Sequence, residues 1–304
     1  MLGQVILIQA ILGATNTSQF RDDTPRSTAV FRFKDNRGWH VPNWIELSTF
    51  VHDSGMRVQM QTEIRNSGGE KLDYSFHAGK SGNNRLLIIG HGVTGNKDRP
   101  FVVALAAAAA QSGIPCLRFS FAGNGQSEGR FIDATITKEV QDLGAVLDAA
   151  TQAGYEITYA GHSMGGAVGV LRASSDPRIH RLISLAGMVH TKAFAEREFG
   201  MVKPDAGFMW DDDSCPLSQA YMDDTARIGS VLHLGATIRV PWLLVHGTED
   251  DVVPISDSRE IHAQAGPPAK LKELVGANHV FKGEEHTKAM IDVVLGWLEA
   301  GEER

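Results

Sequence analysis

Three residues, far apart in the chain, have the types and surroundings needed for nucleophilic catalysis. Ser163 lies in a Gly-x-Ser-x-Gly segment, Asp250 ends a His-Gly-Thr-Glu-Asp segment, and His279 ends a Gly-Ala-Asn-His segment. An isolated serine hydroxyl is a poor nucleophile near neutral pH, and it becomes effective when a base removes its proton and a third group orients that base. We therefore predict that Ser163 attacks a carbonyl carbon, that His279 is the base, and that Asp250 orients the imidazole.

The residues around Ser163 predict a sharp turn between a strand and a helix. Residues 155–160 alternate and are rich in β-branched and aromatic types, as in a strand, and residues 167–173 are typical of a helix. Gly161 and Gly165 leave room for a strained backbone at Ser163 and for close packing of the strand against the helix. The alternative is a glycine-rich turn whose serine has no chemical role.

The carboxylate has two competitors next to it. Glu249 and Asp251 flank Asp250, but the spacing from Gly247 favours Asp250. Elsewhere, no group of His, Cys and Asp residues has the spacing of a zinc site, and the acidic run at 211–213 is typical of a solvated loop. The sequence therefore predicts neither a metal nor a cofactor.

Apolar strands alternate with helical segments over most of the chain, and this alternation must position the three residues. The predicted strands are 57–64, 71–77, 85–89, 115–121, 155–160, 181–186, 241–245 and 270–275, and the predicted helices are 100–111, 138–153, 167–173, 256–265 and 284–299. Repeated β-α-β units predict an α/β fold, with a mostly parallel sheet and helices on both faces. Such sheets bind ligands at the C-terminal ends of their strands, and Ser163, Asp250 and His279 each follow a predicted strand.

Two intervals depart from this regular pattern. Residues 1–55 have no catalytic signature, and we interpret them as an N-terminal extension to a catalytic domain at 56–304. About fifty residues at 190–238 separate two core strands, which is too long for a simple connection and predicts a cap over the site. Within it, Phe208, Met209 and Trp210 are candidates for an apolar substrate wall, although such residues could equally form the cap's own core.

Composition excludes several classes of partner. The chain has 304 residues and a net charge of −7 without a dense basic cluster, so nucleic acid is not an expected partner. The longest apolar run, at 101–110, is too short to span a bilayer. The apolar stretch at 5–12 resembles a signal-peptide core, but no Lys or Arg precedes Arg21 and the exit at 13–14 is a poor cleavage site. We therefore expect a cytoplasmic protein, with secretion as the alternative, and a homodimer could form through residues 1–55.

From about Met56 onward, the chain resembles the α/β-hydrolase superfamily. The resemblance rests on the order Ser, Asp, His, on the serine turn, on the His-Gly-Val-Thr-Gly-Asn-Lys segment at 91–97, and on the His-Gly-x-x-Asp-x-x-Val-Pro segment at 246–254. In detail it looks most like the cinnamoyl/feruloyl-esterase-like carboxylesterases. The resemblance implies an eight-stranded sheet, a cofactor-independent hydrolysis of esters, thioesters or amides, and an oxyanion hole made by the backbone N–H groups of Val93 and Met164.

The main functional hypothesis is a serine carboxylesterase that acts on small or aromatic-acyl esters through an acyl-enzyme. An aminopeptidase-like or thioester hydrolase of the same fold is an alternative, and an aminopeptidase would need an acidic site in the cap, for which 211–213, Glu196 and Glu198 are candidates. A non-catalytic scaffold that binds a ligand is the alternative from a different class, but such proteins usually lack a member of the triad.

Overall fold

The computed structural model describes residues 33–35, 38–40, 63–267 and 269–300, and it divides the chain into two units, residues 1–54 and 55–304. In the first unit, strands β1 (Phe33–Asp35) and β2 (Gly38–His40) pair antiparallel. The apolar stretch at 5–12 lies outside the described residues. The extension at 1–55 and a homodimer through it stay predictions.

The second unit alternates strands and helices as the sequence predicts. Its strands are β3 (Ile64–Arg65), β4 (Lys71–Leu72), β5 (Tyr74–His77), β6 (Arg85–Gly90), β7 (Cys116–Phe119), β8 (Glu156–His162), β9 (Ile179–Leu185), β10 (Trp242–Gly247) and β11 (Ala269–Leu274). Its α-helices are α1 (Pro100–Gln111), α2 (Ile136–Gln152), α3 (Met164–Ala173), α4 (Thr191–Phe199), α5 (Gln219–Ile228), α6 (Ile255–Ala265) and α7 (Glu284–Glu299). Short 3₁₀-helices are Phe131–Asp133, Met209–Asp211 and Leu232–Thr237.

A mostly parallel sheet forms the centre of this unit, in the strand order β11-β10-β9-β8-β6-β7-β5. All neighbouring strands in it are parallel except β5, which pairs antiparallel with β7 at one edge. The β-α-β connections account for this arrangement, because each helix returns the chain to the same end of the sheet. The predicted α/β class with a mostly parallel sheet is confirmed.

Helices cover both faces of the sheet, and strand β6 shows why. Its side chains alternate between two apolar clusters: Leu86 and Ile88 pack on the side of α2, α3 and α6, whereas Leu87 and Ile89 pack on the side of α1 and α7. Both sets are fully buried. A strand buried on both faces needs a continuous apolar run rather than an alternating one, and residues 86–89 form such a run.

The described sheet has seven strands, whereas the resemblance implies eight. Ile64 and Arg65 pair only with Leu72 and Lys71, in a short separate hairpin. Asn66 connects this hairpin to helix α2, because its side-chain amide donates a hydrogen bond to Asp142 at 2.7 Å. Residues 57–62 of the strand predicted at 57–64 lie outside the described residues.

The predicted cap interval contains α4, α5 and two of the short helices between β9 and β10. It packs on itself, on α2 through α5, and on α6 and α3 through the short helix Leu232–Thr237. The Asp224 carboxylate accepts hydrogen bonds from the backbone N–H and the hydroxyl of Thr137, at 2.9 and 2.7 Å, and it also pairs with Arg227. This contact ties α5 to the first turn of α2.

Over the described ranges, no helix combines the length and the apolar character that a bilayer span requires.

Candidate active site

Ser163 lies at the sharp turn between β8 and α3. Its backbone has φ 54° and ψ −119°, a region that non-glycine residues seldom adopt. A Cβ atom at Gly161 would lie 2.0 Å from the Gly165 carbonyl oxygen, so the strand and the helix can approach this closely only without a side chain there. The Ser163 N–H donates to the Leu185 carbonyl at 3.0 Å, which fixes the turn against strand β9. The side chain that follows β8 is thereby held at the C-terminal edge of the sheet.

His279 and Asp250 meet at the same edge, on the loops after β11 and β10. The His279 Nδ1–H donates to Asp250 Oδ2 at 2.8 Å. The other oxygen, Oδ1, accepts from the backbone N–H groups of Val252 and Val253 at 2.9 and 2.8 Å. These backbone bonds hold the carboxylate in one orientation, with Oδ2 directed at the imidazole.

The pKa of Asp250 lies well below its usual range. Burial alone would raise this pKa, since the side chain is fully buried, but hydrogen bonds from His246 and His279 and the charge of His279 outweigh the burial. A carboxylate that remains ionised can stabilise a positive charge on the imidazole.

A second imidazole also contacts Asp250. His246 Nε2 lies 3.1 Å from Asp250 Oδ2 and 2.9 Å from the Val253 carbonyl oxygen. The Ser258 hydroxyl is 2.7 Å from His246 Nδ1. Since Nε2 must carry the proton to donate to a carbonyl, Nδ1 of the neutral ring accepts from Ser258. Ser258 therefore fixes the His246 tautomer, and His246 in turn helps to orient Asp250.

His162, next to the candidate nucleophile, supports the loop that carries His279. Its Nε2–H donates to the His279 carbonyl at 2.9 Å, and its ring packs on the rings of His279 and Phe101, each with centroids 4.7 Å apart. Burial, and then the charge of His279, lowers the pKa of His162 to about 3. This neutral imidazole joins the serine turn to the histidine loop.

The two candidate oxyanion donors flank Ser163. A Cβ atom at Gly92 would lie 3.2 Å from Ser163 Oγ, so the loop after β6 passes directly beside the hydroxyl, and Val93 is the next residue on that loop. Met164 begins helix α3, where the first N–H groups have no partner within the helix. Neither N–H donates to another group within the described ranges. The His91 ring braces this loop, because its Nδ1–H donates to Gly92 O and its Nε2 accepts from the Phe121 N–H.

A narrow cleft, partly open to solvent, lies next to these two donors. Val93 and Met164 form one side, and the cap interval supplies Met209, Pro216, Ser218 and Tyr221. Its remaining lining residues are Thr94, Asn124, Phe131, Ala134 and Glu139.

Of the three predicted substrate-wall residues, Met209 lines this cleft and is almost fully buried. Phe208 and Trp210 do not line it and are 41% and 45% exposed. The Trp210 ring packs on Phe199 with centroids 4.9 Å apart, and its Nε1–H donates to Glu198 at 3.1 Å. Phe208 and Trp210 thus lie at the surface of the cap interval.

The acidic residues considered for an ammonium site do not line the cleft. Residues 211–213 are exposed, Glu196 pairs with Lys192, and Glu198 pairs with Arg197. The acidic residue in the cleft is instead Glu139, on helix α2. No group of three or more His, Cys, Asp or Glu side chains in the described part of the chain could hold a metal ion.

Sequence reasoning missed His246 as a contact of Asp250, and it missed Glu139 as a cleft residue. His246 carried a usable signal, since it stands four positions before Asp250 at the end of an apolar strand. Glu139 had none, because one acidic residue in an amphipathic helix is ordinarily solvated.

Comparison with known proteins places this site in context. A family model described as "Serine aminopeptidase, S33" matches residues 82–209. The uncharacterized protein Rv2307c of Mycobacterium tuberculosis is 25% identical over 248 residues, which cover 79% of this chain and 77% of that protein.

Among solved structures, Est1E from Butyrivibrio proteoclasticus with bound ferulic acid is similar, with a TM-score of 0.69 and 25% identity over 80% of this chain and 100% of that one. Alpha/beta hydrolase domain-containing protein 10 from mouse has a TM-score of 0.65 and 19% identity over 79% of this chain and 98% of that one. The Pyrococcus furiosus esterase Pf2001 has a TM-score of 0.61 and 20% identity, covering 79% and 91%. The chain is therefore a serine hydrolase with the α/β-hydrolase fold, and it resembles the feruloyl esterases.

Proposed function

We propose that this α/β-hydrolase is a carboxylic-ester hydrolase that acts on small or aromatic-acyl esters through a covalent acyl-enzyme. The observation that carries the proposal is the 2.8 Å contact between His279 Nδ1 and Asp250 Oδ2, at the same edge of the sheet as the strained turn at Ser163. The similarity to Est1E supports an ester as substrate.

In the proposed mechanism, Ser163 Oγ attacks the ester carbonyl carbon while His279 Nε2 takes the hydroxyl proton. Asp250 keeps the proton of the neutral ring on Nδ1, so that Nε2 is free to accept. The tetrahedral intermediate expels the alcohol, which receives the proton from His279, and water then hydrolyses the acyl-enzyme by the same steps. The low pKa of Asp250 supports this role, because the carboxylate stays ionised beside the transient imidazolium.

The negative charge of the intermediate needs hydrogen-bond donors that are already in position. We assign this role to the backbone N–H groups of Val93 and Met164, which flank Ser163 and have no partner within the described ranges. Removal of one such donor typically lowers the rate by about 10²–10³-fold. Because both donors belong to the backbone, side-chain substitutions at Val93 and Met164 leave the donors themselves in place.

The test is hydrolysis of short-chain and arylacetyl p-nitrophenyl esters by the wild type and by Ser163→Ala. We expect hydrolysis by the wild type, loss of it in Ser163→Ala, and covalent labelling of Ser163 by a fluorophosphonate probe. Ser112→Ala, which changes an exposed serine at the end of α1, is the matched control and should behave as the wild type. An intact wild type that neither cleaves any ester nor reacts with the probe would favour the non-catalytic scaffold.

A second candidate function is an aminopeptidase-like hydrolase, and the match to the serine aminopeptidase family model favours it. An aminopeptidase needs an ionised acidic group for the substrate ammonium. Cleavage of aminoacyl-arylamides that is faster than cleavage of matched acyl esters would select this function. A thioester panel tests the remaining alternative in the same assay.

A further inference from the structure

The cleft beside the oxyanion donors contains two polar side chains that have no partner. Glu139, on α2, and Tyr221, on α5, both line it, and they are 1% and 2% exposed. Within the described residues, Glu139 Oε2 and the Tyr221 hydroxyl make no hydrogen bond, either to each other or to any other group. Most buried polar atoms in folded proteins are paired, so two unpaired ones in a single cleft require an explanation.

The surroundings of Glu139 favour a neutral carboxylic acid. Neighbouring basic groups are engaged elsewhere: Lys138 pairs with Glu70, and Arg227 pairs with Asp224. Burial, and then the charge of Asp142, raises the pKa of Glu139 well above its usual value. Burial, and then the charge of Glu139, also raises the pKa of Tyr221, so that its phenol stays protonated. Both groups can therefore donate and accept hydrogen bonds without carrying charge.

The remaining lining limits which ligand fits between these groups. Val93, Met164, Met209 and Phe131 present apolar surface, which suits a carbon skeleton. No lysine or arginine lines the cleft, so it offers no charge for a substrate carboxylate or phosphate. A hydroxyl group can donate to one of the two polar side chains and accept from the other.

We propose that this cleft is a specificity subsite that binds a hydroxyl-bearing group of the substrate, with the hydroxyl held by Glu139 and Tyr221. The inference rests on the proposed ester hydrolysis and names the kind of ester that the site prefers. A site that hydrogen-bonds a substrate hydroxyl discriminates strongly against an analogue that lacks it, because its own buried polar groups are then left unpaired.

The experiment compares p-nitrophenyl esters in pairs in which a methyl group replaces the hydroxyl. Two acyl pairs are 3-hydroxybutanoate with 3-methylbutanoate, and 6-hydroxyhexanoate with heptanoate. An alcohol-side pair, 2-hydroxyethyl and propyl acetate, tests the other half of the ester. The readout is the ratio of kcat/KM within each pair, which cancels changes in the amount of active enzyme.

We expect the wild type to prefer the hydroxylated ester by about tenfold or more in at least one pair. Tyr221→Phe and Glu139→Leu should bring that ratio close to one, whereas Glu139→Gln should keep most of it, because an amide also donates and accepts. Gln152→Leu, an exposed change at the far end of α2, is the matched control and should keep the wild-type ratio. Melting temperatures verify that each variant is folded.

Three results would overturn the subsite. One is a wild-type ratio near one in every pair. Another is a preference that survives both Tyr221→Phe and Glu139→Leu. The third is a preference for alanine p-nitrophenyl ester over the uncharged esters that is lost in Glu139→Gln. That result would mean that Glu139 is ionised and binds the substrate ammonium. A wild type that cleaves no ester at all would instead contradict the proposed function.

Discussion

The substitution Asp250→Asn tests the candidate triad most directly, because it changes one oxygen of a carboxylate whose two oxygens both accept hydrogen bonds. Oδ1 accepts from the N–H groups of Val252 and Val253, and Oδ2 accepts from His246 and His279. An asparagine has one acceptor oxygen and one NH₂ group, so it can satisfy only one of these two sets. If its oxygen keeps the backbone contacts, its NH₂ group faces two ring N–H donors.

The two imidazoles respond differently to this conflict. His246 is held by Ser258 and by the Val253 carbonyl, so a change of its tautomer would break those contacts. His279 can move its proton to Nε2 and accept the new NH₂ at Nδ1. A ring that carries its proton on Nε2 cannot take the proton of Ser163.

We therefore expect kcat/KM for a p-nitrophenyl ester to fall by about 10³–10⁴-fold in Asp250→Asn, the loss typical of a triad histidine in the wrong tautomer. About one buried hydrogen bond is also lost at His246, which lowers the free energy of unfolding by about 1–3 kcal/mol. Steady-state kinetics and urea unfolding measure the two effects separately.

The neighbouring carboxylates provide the controls. Asp251→Asn and Glu249→Gln change exposed side chains on the same loop, and both variants should keep activity within about threefold of the wild type. If Asp250→Asn retained more than a tenth of the wild-type kcat/KM, or if Asp251→Asn caused the larger loss, the assignment of the orienting carboxylate would be wrong.

Three further outcomes follow from the same structure. Because Asp250 stays ionised, the acid limb of log kcat/KM between pH 4 and 8 should have a slope of one, from a single imidazole, and a slope of two would contradict this. Glu139 holds its proton in the folded state at pH values where the unfolded chain has lost it, so this contribution to stability is present below its ordinary pKa and is lost as pH rises. Glu139→Gln should therefore gain stability relative to the wild type as pH rises above the ordinary pKa of a glutamate, by up to about 1.4 kcal/mol per pH unit. Urea unfolding measures the difference, and a difference that does not change with pH would refute a neutral Glu139. Gly161→Ala, whose Cβ would meet the Gly165 carbonyl, should lose about 3 kcal/mol or more of stability in thermal unfolding, and a wild-type melting temperature would show that the turn is looser than described.

Local signals in the sequence were sufficient for the elements that carry the site. Helix α1 begins at Pro100, where proline needs no N–H partner, and Gly113 follows its end with φ 88°. Helix α7 also has the predicted bounds, Glu284–Glu299. The glycines on either side of Ser163 predicted its strained conformation, because a turn this tight leaves no room for a side chain at those two positions.

The contacts that depend on distant parts of the chain could not be predicted in the same way. His246 supports its own loop through the Val253 carbonyl, and its contact with Asp250 depends on the path of residues 247–249. The pairing of His162 with the His279 carbonyl joins residues 117 positions apart. No local pattern encodes such a pair, since the packed sheet sets both the direction of the His162 ring and the position of the His279 carbonyl.

The hydrogen bonds between Asp224 and Thr137 restrict how this enzyme could be redesigned. Thr137 and Glu139 belong to the same opening turn of α2, so the interval at 190–238 is fastened to the catalytic scaffold at the helix end that presents the cleft carboxyl. Consider a chimaera in which the interval at 190–238 is replaced by that of another hydrolase. The Glu139 carboxyl would keep its position only if the new segment supplies a hydrogen-bond acceptor to Thr137. A graft without this acceptor would displace both the first turn of α2 and the grafted interval. It would therefore change the selectivity and the stability of the enzyme together.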